Sequence, residues 1–371
     1  MNTEEKKKFN KELLTLAIPI ALQNLLTALV GATDALMLGR LNQEAIAAVS
    51  LANQISFIMS LFTGTIIGAV GVLVAQYIGK KDYSSAKVFF SMALRYSLII
   101  SIVFFFAAFL MPEKLMAIYT SEQKLIEIGA GYLRIVSFSY LFSAIAGCYL
   151  MMMKVQGRAN LSTMISAMTV LVDMIMDFFL IYGFGKIPAL GANGSAYSTI
   201  AVEALALIWC IADSLKKEHI HPDIKSMFNF SRSAEADMWK IAVGMLASSL
   251  MWGISITAHS FIMGHLGTDA TAASSIAAVA QQLIQCVTHG LSSGAGIMIG
   301  KLLGQNLLDE AKKYGHRFWL VSVWCGIANI IFMCIVGPLV VNFYLLEPLA
   351  KTYLIRMLIF GAIYMFAYSF N

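Results

Sequence analysis

Charge is scarce in this chain. Only 13% of its 371 residues are Asp, Glu, Lys or Arg, against about 25% in a soluble domain. The net charge of +5 is small and spread over short joints, which leaves no footprint for nucleic acid. Cysteine is scarce too. The five cysteines, at 148, 210, 286, 325 and 334, lie mostly inside apolar runs. They lack metal-ligand spacing, and an odd number argues against a disulfide framework, so they read as small packing residues. A GxGD motif is missing, which excludes the paired-acid intramembrane proteases. A nucleotide-binding loop and a Ser/His pair at a sensible depth are missing as well. Neither an enzyme nor an ATP-driven pump is expected, and no cofactor. Any work the chain does would draw on an ion gradient.

Long apolar runs are what remains. Hydrophobic residues make up 59% of the chain, and mean hydropathy is +0.75. Ten apolar segments stand out, at about 13–39, 44–78, 86–111, 126–153, 161–184, 192–214, 238–264, 269–303, 316–345 and 349–370. Barrel strands are much shorter, so an all-α integral membrane protein is expected. Lys6, Lys7 and Lys8 precede the first run. The run is too long for a signal peptide and lacks a small-residue cleavage site, so it reads as an uncleaved span. Lys and Arg crowd into alternate joints, which predicts a multi-pass protein with its N-terminus in the cytoplasm; the bacterial inner membrane is the expected location.

The chain repeats itself. One ungapped offset lays Gly39-Arg40-Leu41 on Gly264-His265-Leu266, Gly71 on Gly296, Gly79 on Gly304 and Ala86-Lys87 on Ala311-Lys312. Six helices before the repeat make it a parallel one, related by an axis along the membrane normal. The expected domains are an N-lobe at 1–214, a cytoplasmic connection at 215–237 and a partial C-lobe at 238–371. The second lobe is expected to be incomplete, with counterparts for four of the six helices. About ten transmembrane helices are present where twelve are expected.

The acids in these spans carry the chemistry. Asp34 sits in the first span with no Lys or Arg between Leu13 and Gly39. Even lenient insertion scales put the cost of a central charge at about 2.5–3.5 kcal/mol. Near the helix end Asp34 would reach toward water; deeper, it would face a wet cavity and bind a proton, a cation or a cationic substrate. Pro19 is expected to bend that helix. Asp173 and Asp177 are one turn apart on the fifth span, with no basic residue in the helix. Two carboxylates so placed either share a proton or hold a metal ion, unless one is hydrated from bulk water. Thr199 and Glu203 follow on the sixth span; Thr199 either supplies an oxygen ligand or bonds back to its own helix. Asp34, Asp173, Asp177 and Thr199 together offer hard oxygen ligands suited to Na⁺ or H⁺, not to zinc or copper. Glu203 and His259 are candidate cavity residues. His259 is the repeat counterpart of Asp34, read either as titratable or as a hydrogen-bonded structural residue. His219 and His221 read as solvated loop residues. A share of the 22 Met and 23 Phe would give a cavity a soft, adaptable wall.

Several stretches carry a resemblance. LAIPIALQNLLTALVGATDALMLGRL, AIAAVSLANQI and VAQYIGKKDYSSAK resemble the first two helices of the multidrug and toxic compound extrusion (MATE) family. YLRI at 132–135, KVQGRAN at 154–160 and ALGANGSAYSTI at 189–200 resemble its fourth to sixth. The resemblance implies twelve helices in two lobes and antiport of organic cations against Na⁺ or H⁺ by a monomer. It implies that Asp34, Asp177 and Thr199 belong to an N-lobe ion site. Asp173 departs from the family, which often has Asn there, and so leaves the coupling ion open. A lipid-linked oligosaccharide flippase of the same superfamily is the alternative, although the spans hold acids rather than bases. A non-transporting remnant is the third reading.

Overall fold

Within a bilayer a chain satisfies its backbone groups as a helix or a closed barrel, and here the described residues form helices joined by turns. The computed structural model describes residues 3–185, 188–216, 220–228, 231–266, 268–343 and 348–370. In order these form α1 (Thr3–Leu41), α2 (Gln43–Gly79), α3 (Tyr83–Leu110), the short α4 (Pro112–Ala117), α5 (Gln123–Val155), α6 (Ala159–Tyr182) and α7 (Ala192–Ser214). There follow the short α8 (Ile224–Phe228), α9 (Arg232–His265), α10 (Thr268–Gly304), α11 (Leu308–Phe343) and α12 (Pro348–Tyr368). Each of the ten apolar segments corresponds to one long helix. Eight of these qualify as membrane spans by length and composition over their described residues. Several helices outrun their apolar segment. α1 begins ten residues early, in the polar run around Lys6, and α9 starts inside the stretch read as a connecting loop. A helix need not stop where the bilayer does.

The repeat holds at the level of the turn. α2 ends and α3 begins as α10 ends and α11 begins. Lys81 and Asn306 both adopt left-handed backbone, at φ 62° and 59°. Lys80 N–H donates to the Gln76 carbonyl and Lys81 N–H to that of Ile78. Gln305 N–H donates to Lys301 and Asn306 N–H to Leu303 in the same pattern. These bonds close the orphan carbonyls of each helix end. Asp82 then caps α3, accepting from Ser85 N–H at 3.0 Å. Its counterpart, Leu307, has no such acceptor.

The chain divides into two compact units, residues 26–246 and residues 1–25 with 247–371. In the first, α5 is central. Tyr132, Leu133, Val136 and Tyr140 pack against Ala45, Val49, Ala52, Ile55 and Met59 of α2, with Ile181 of α6 and Ala192 and Ala196 of α7. The α2 residues recur at three- and four-residue steps, a single helix face. In the second unit, Ala273, Ala277, Ala280 and Ile284 of α10 pack on Met333 of α11 and Leu354, Leu358 and Met365 of α12. Asn329 donates to Ser369 Oγ at 3.0 Å in that interior. Gly290 lets α10 approach α1 closely. A Cβ there would lie 2.6 Å from the Ala17 carbonyl oxygen and 2.7 Å from Ala21 Cβ. Pro19 is buried between these contacts, and α1 is continuous through it.

Candidate cation site

Two faces of α6 decide where its acids point. Met164, Met168, Leu171, Ile175 and Phe178 are exposed, a lipid-facing stripe at helical spacing. Val170, Asp173, Asp177 and Ile181 form the opposite, buried stripe. Both carboxylates are therefore carried into the unit's interior by an otherwise apolar face. Asp173 is 5% exposed and Asp177 1%.

There they meet Asp34 of α1. One carboxylate oxygen from each of Asp34, Asp173 and Asp177 lies within 4.8 Å of the others. Asp34 Oδ1 and both oxygens of Asp177 are buried without a hydrogen-bond partner. Asp173 is better served: Ser198 of α7 donates to its Oδ1 at 2.8 Å. Among the described residues no Lys or Arg pairs with any of the three. Three carboxylates this close, in an interior of low dielectric, need protons or a cation between them. Unsatisfied buried oxygens call for the same thing, since each is costly to desolvate. The donor set is all carboxylate and hydroxyl oxygen, which fits Na⁺ or H⁺ and not a thiophilic metal.

Side-chain hydrogen bonds also tie the helices of this unit to one another. Tyr132 of α5 lies within electrostatic reach of all three carboxylates, and its hydroxyl donates to Asn53 Oδ1 of α2 at 3.3 Å. One turn on, Ser56 donates to Tyr140 Oη at 2.9 Å. Tyr182, at the end of α6, donates to the carbonyl of Met37 at 2.7 Å. That bond fixes α1 one turn from Asp34.

The other residues named from sequence are placed as follows. Thr199 is half-buried on α7 and its hydroxyl donates to the Ser195 carbonyl at 3.0 Å. Glu203 lies one turn further along α7, where the charge of Asp173 reaches it. His259 belongs to the other unit; its Nε2 lies 3.1 Å from Ser274 Oγ. His221 Nδ1 lies 2.8 Å from the Ser214 carbonyl, and His219 falls outside the described residues. Sequence reasoning missed Ser198, Tyr132 and Asn53. Ser198 is adjacent to Thr199, and only the phase of α7 against α6 tells which hydroxyl meets Asp173. Tyr132 opens the YLRI stretch that carries the family resemblance, but nothing in that stretch marks it as a neighbour of the acids.

Comparison with known proteins adds the following. The family model described as MatE matches residues 19–179 and 244–371. A probable multidrug resistance protein NorM of Agrobacterium fabrum is 26% identical over 86% of this chain and 68% of its own length. The multidrug resistance protein PmpM of Pseudomonas aeruginosa is 25% identical over 96% of this chain and 75% of its own length. Among solved structures, an outward-facing multidrug resistance MATE family transporter of the MOP superfamily superposes with a TM-score of 0.85. It is 17% identical, covering 98% of this chain and 80% of that one, and so speaks to the fold.

Proposed function

Because this chain belongs to the MatE family, we propose that it is a secondary active antiporter that exports small organic cations in exchange for Na⁺ or H⁺. The observation that carries the proposal is the cluster of Asp34, Asp173 and Asp177, with buried oxygens that lack partners. The names of relatives in the family, multidrug resistance proteins, support multidrug efflux as the activity.

The acids act as a switchable charge. Entry of Na⁺ or H⁺ from outside neutralises the cluster. The loss of negative charge alters the packing of α1 against α6 and moves α1 about Pro19, where one helix hydrogen bond is missing. Affinity for the bound organic cation falls, and it leaves. Alternating access would be a rocking of the two repeats. Export from the cytoplasm fits a protein of the bacterial inner membrane with its N-terminus inside, working as a monomer.

Thermal stability of the purified chain in detergent tests the site directly. The wild type is compared with Asp34→Asn and Asp177→Asn in Na⁺ and in K⁺ at several pH values. Ligand at a hundredfold its Kd stabilises the folded state by about 2.7 kcal/mol. A Na⁺-specific or pH-dependent rise that both variants lose is expected. A well-folded wild type indifferent to both ions overturns the proposal.

A further inference from the structure

A polar groove lies between the start of α3 and the segment that carries α8 and the start of α9. That segment is fastened to α3: Ser91 Oγ donates to the Asp223 carbonyl at 3.0 Å and accepts from Asp223 N–H at 2.9 Å. Two adjoining cavities make the groove. One, of about 400 Å³, is lined by Lys87, Ser84 and His221 among others. The other, of about 260 Å³, is lined by Asp237, Ser231 and Ser233 among others. Val88 and Ser226 line both.

The groove has a basic end and an acidic end. Lys87 is half-buried and Asp237 exposed, and neither forms an ion pair among the described residues. Asp223, which also lines the larger cavity, is engaged already: its Oδ2 accepts from Ser226 Oγ at 2.6 Å. His221 Nδ1 lies 2.8 Å from the Ser214 carbonyl. A simple anion would meet Asp237, and a simple cation would meet Lys87. A zwitterion answers both ends with charge-assisted hydrogen bonds.

Depth gives the second observation. Ile99, Ile102, Val103, Phe106 and Leu110 are exposed and form the lipid face of α3. The hydrocarbon layer takes about 20 residues of helix, which counted inward from Leu110 end at Ser91. Lys87 and Ser84 lie about 6 and 10 Å beyond that edge, where headgroups fill about the first 5–8 Å. Lys80, Lys81 and Lys87 share this end of the hairpin, which marks the cytoplasmic leaflet. Lys312, the repeat counterpart of Lys87, is exposed.

We propose that the groove binds the phosphoethanolamine headgroup of a phospholipid, with its phosphate at Lys87 and its primary ammonium at Asp237. Soluble phosphoethanolamine carries the same two charges, but the depth of Lys87 assigns the lipid. The site is independent of the antiport reading, since it shares no residue with the aspartate cluster.

The test is thermal unfolding of the full chain in detergent, titrated with lipids of identical acyl chains. Phosphatidylethanolamine is expected to raise the unfolding temperature saturably. Phosphatidylcholine, which lacks ammonium N–H groups, and phosphatidylglycerol, which lacks the ammonium, are expected to do much less. Lys87→Gln and Asp237→Asn should each raise the half-maximal lipid concentration about tenfold, and Lys312→Gln should leave it unchanged. Asp237→Lys gives the groove two bases and is expected to prefer phosphatidylglycerol, a gain that a merely unstable variant would not show. Equal responses to the three lipids, or equal losses in Lys87→Gln and Lys312→Gln, overturn the proposal. A response to soluble phosphoethanolamine with none to the lipid overturns the assignment to a membrane ligand.

Discussion

Tyr182 Oη donates to the carbonyl of Met37 at 2.7 Å, and this bond joins the end of α6 to α1 beside the aspartate cluster. It spans the two helices whose acids meet, so their spacing is set partly from outside the cluster. Tyr182→Phe removes the donor and keeps the ring. Loss of such a bond costs about 1 kcal/mol net, so a modest fall in the detergent unfolding temperature is expected. A larger effect is expected on ion binding. The Na⁺- or pH-dependent stabilisation should weaken, because Asp34 is no longer held at its distance from Asp177. An unchanged ion response in Tyr182→Phe would show that α1 is positioned by packing alone.

Ser198 is the hydrogen-bond donor that Asp173 has and Asp177 lacks. Ser198→Ala leaves a third acid of the cluster without support, and an unsatisfied buried acceptor costs about 1–3 kcal/mol. Destabilisation in that range is expected in K⁺ buffer. Adding Asp173→Asn should recover part of it, since an amide can be buried without the charge. A double-mutant cycle on unfolding temperature reads the coupling. Additive effects would place the Ser198 bond outside the energetics of the cluster.

How much of this was legible beforehand differs between fold and site. Ten apolar runs and a glycine-marked repeat were enough for the helices, because a bilayer leaves the backbone few other choices. The repeat reached even to Lys81 and Asn306, whose residue types give no hint of a shared backbone turn. Asp173 and Asp177 could be put on one face by their spacing alone. Their meeting with Asp34 depends on how α1 packs on α6, and the phase of one helix against another is not written in either. For the same reason Ser198 was passed over for its neighbour Thr199, whose hydroxyl turns back to Ser195. Long-range partners such as Tyr182 and Met37, or Arg95 and Glu235, had no local signal at all.

Arg95, which is buried, and Glu235, which is half-buried, form an ion pair between α3 and the start of α9. Tyr96 donates to the other Glu235 oxygen at 2.7 Å, and Ser91 Oγ donates to the Asp223 carbonyl at 3.0 Å. The segment around α8 is thereby fastened to α3. Glu235→Ala leaves the buried Arg95 charge behind, and the cost of breaking a fully buried pair, about 3–5 kcal/mol, is an upper bound here. Glu235→Ala is therefore expected to lower the unfolding temperature strongly, and Arg95→Met with Glu235→Ala to lower it less than either change alone. If the double variant is the least stable, the pair is held by solvent rather than by burial.

Asp82 offers a prediction with a defined sign in pH. It lies in the turn between α2 and α3, outside the membrane spans, and accepts from Ser85 N–H at 3.0 Å and Ser85 Oγ at 2.6 Å. The Ser85 side-chain hydroxyl first, and then its N–H, hold the Asp82 carboxyl below its ordinary value of 3.8. A carboxyl lowered on folding stabilises the folded state above its unfolded value, and that contribution disappears as pH falls through the folded one. The cap should therefore be at full strength at neutral pH and lost only in acid below about 3.8. Asp82→Ala is expected to cost about 1 kcal/mol at neutral pH, as for other helix caps. Its deficit against wild type should shrink as the pH is lowered into that range. Leu307→Asp is the reciprocal change, since Leu307 occupies the uncapped equivalent turn at the start of α11. A gain in unfolding temperature there, present at neutral pH and absent in acid, would show that the two repeats share the turn but not the cap. If Asp82→Ala keeps its full deficit in strong acid, the side chain is acting through packing and not through its charge.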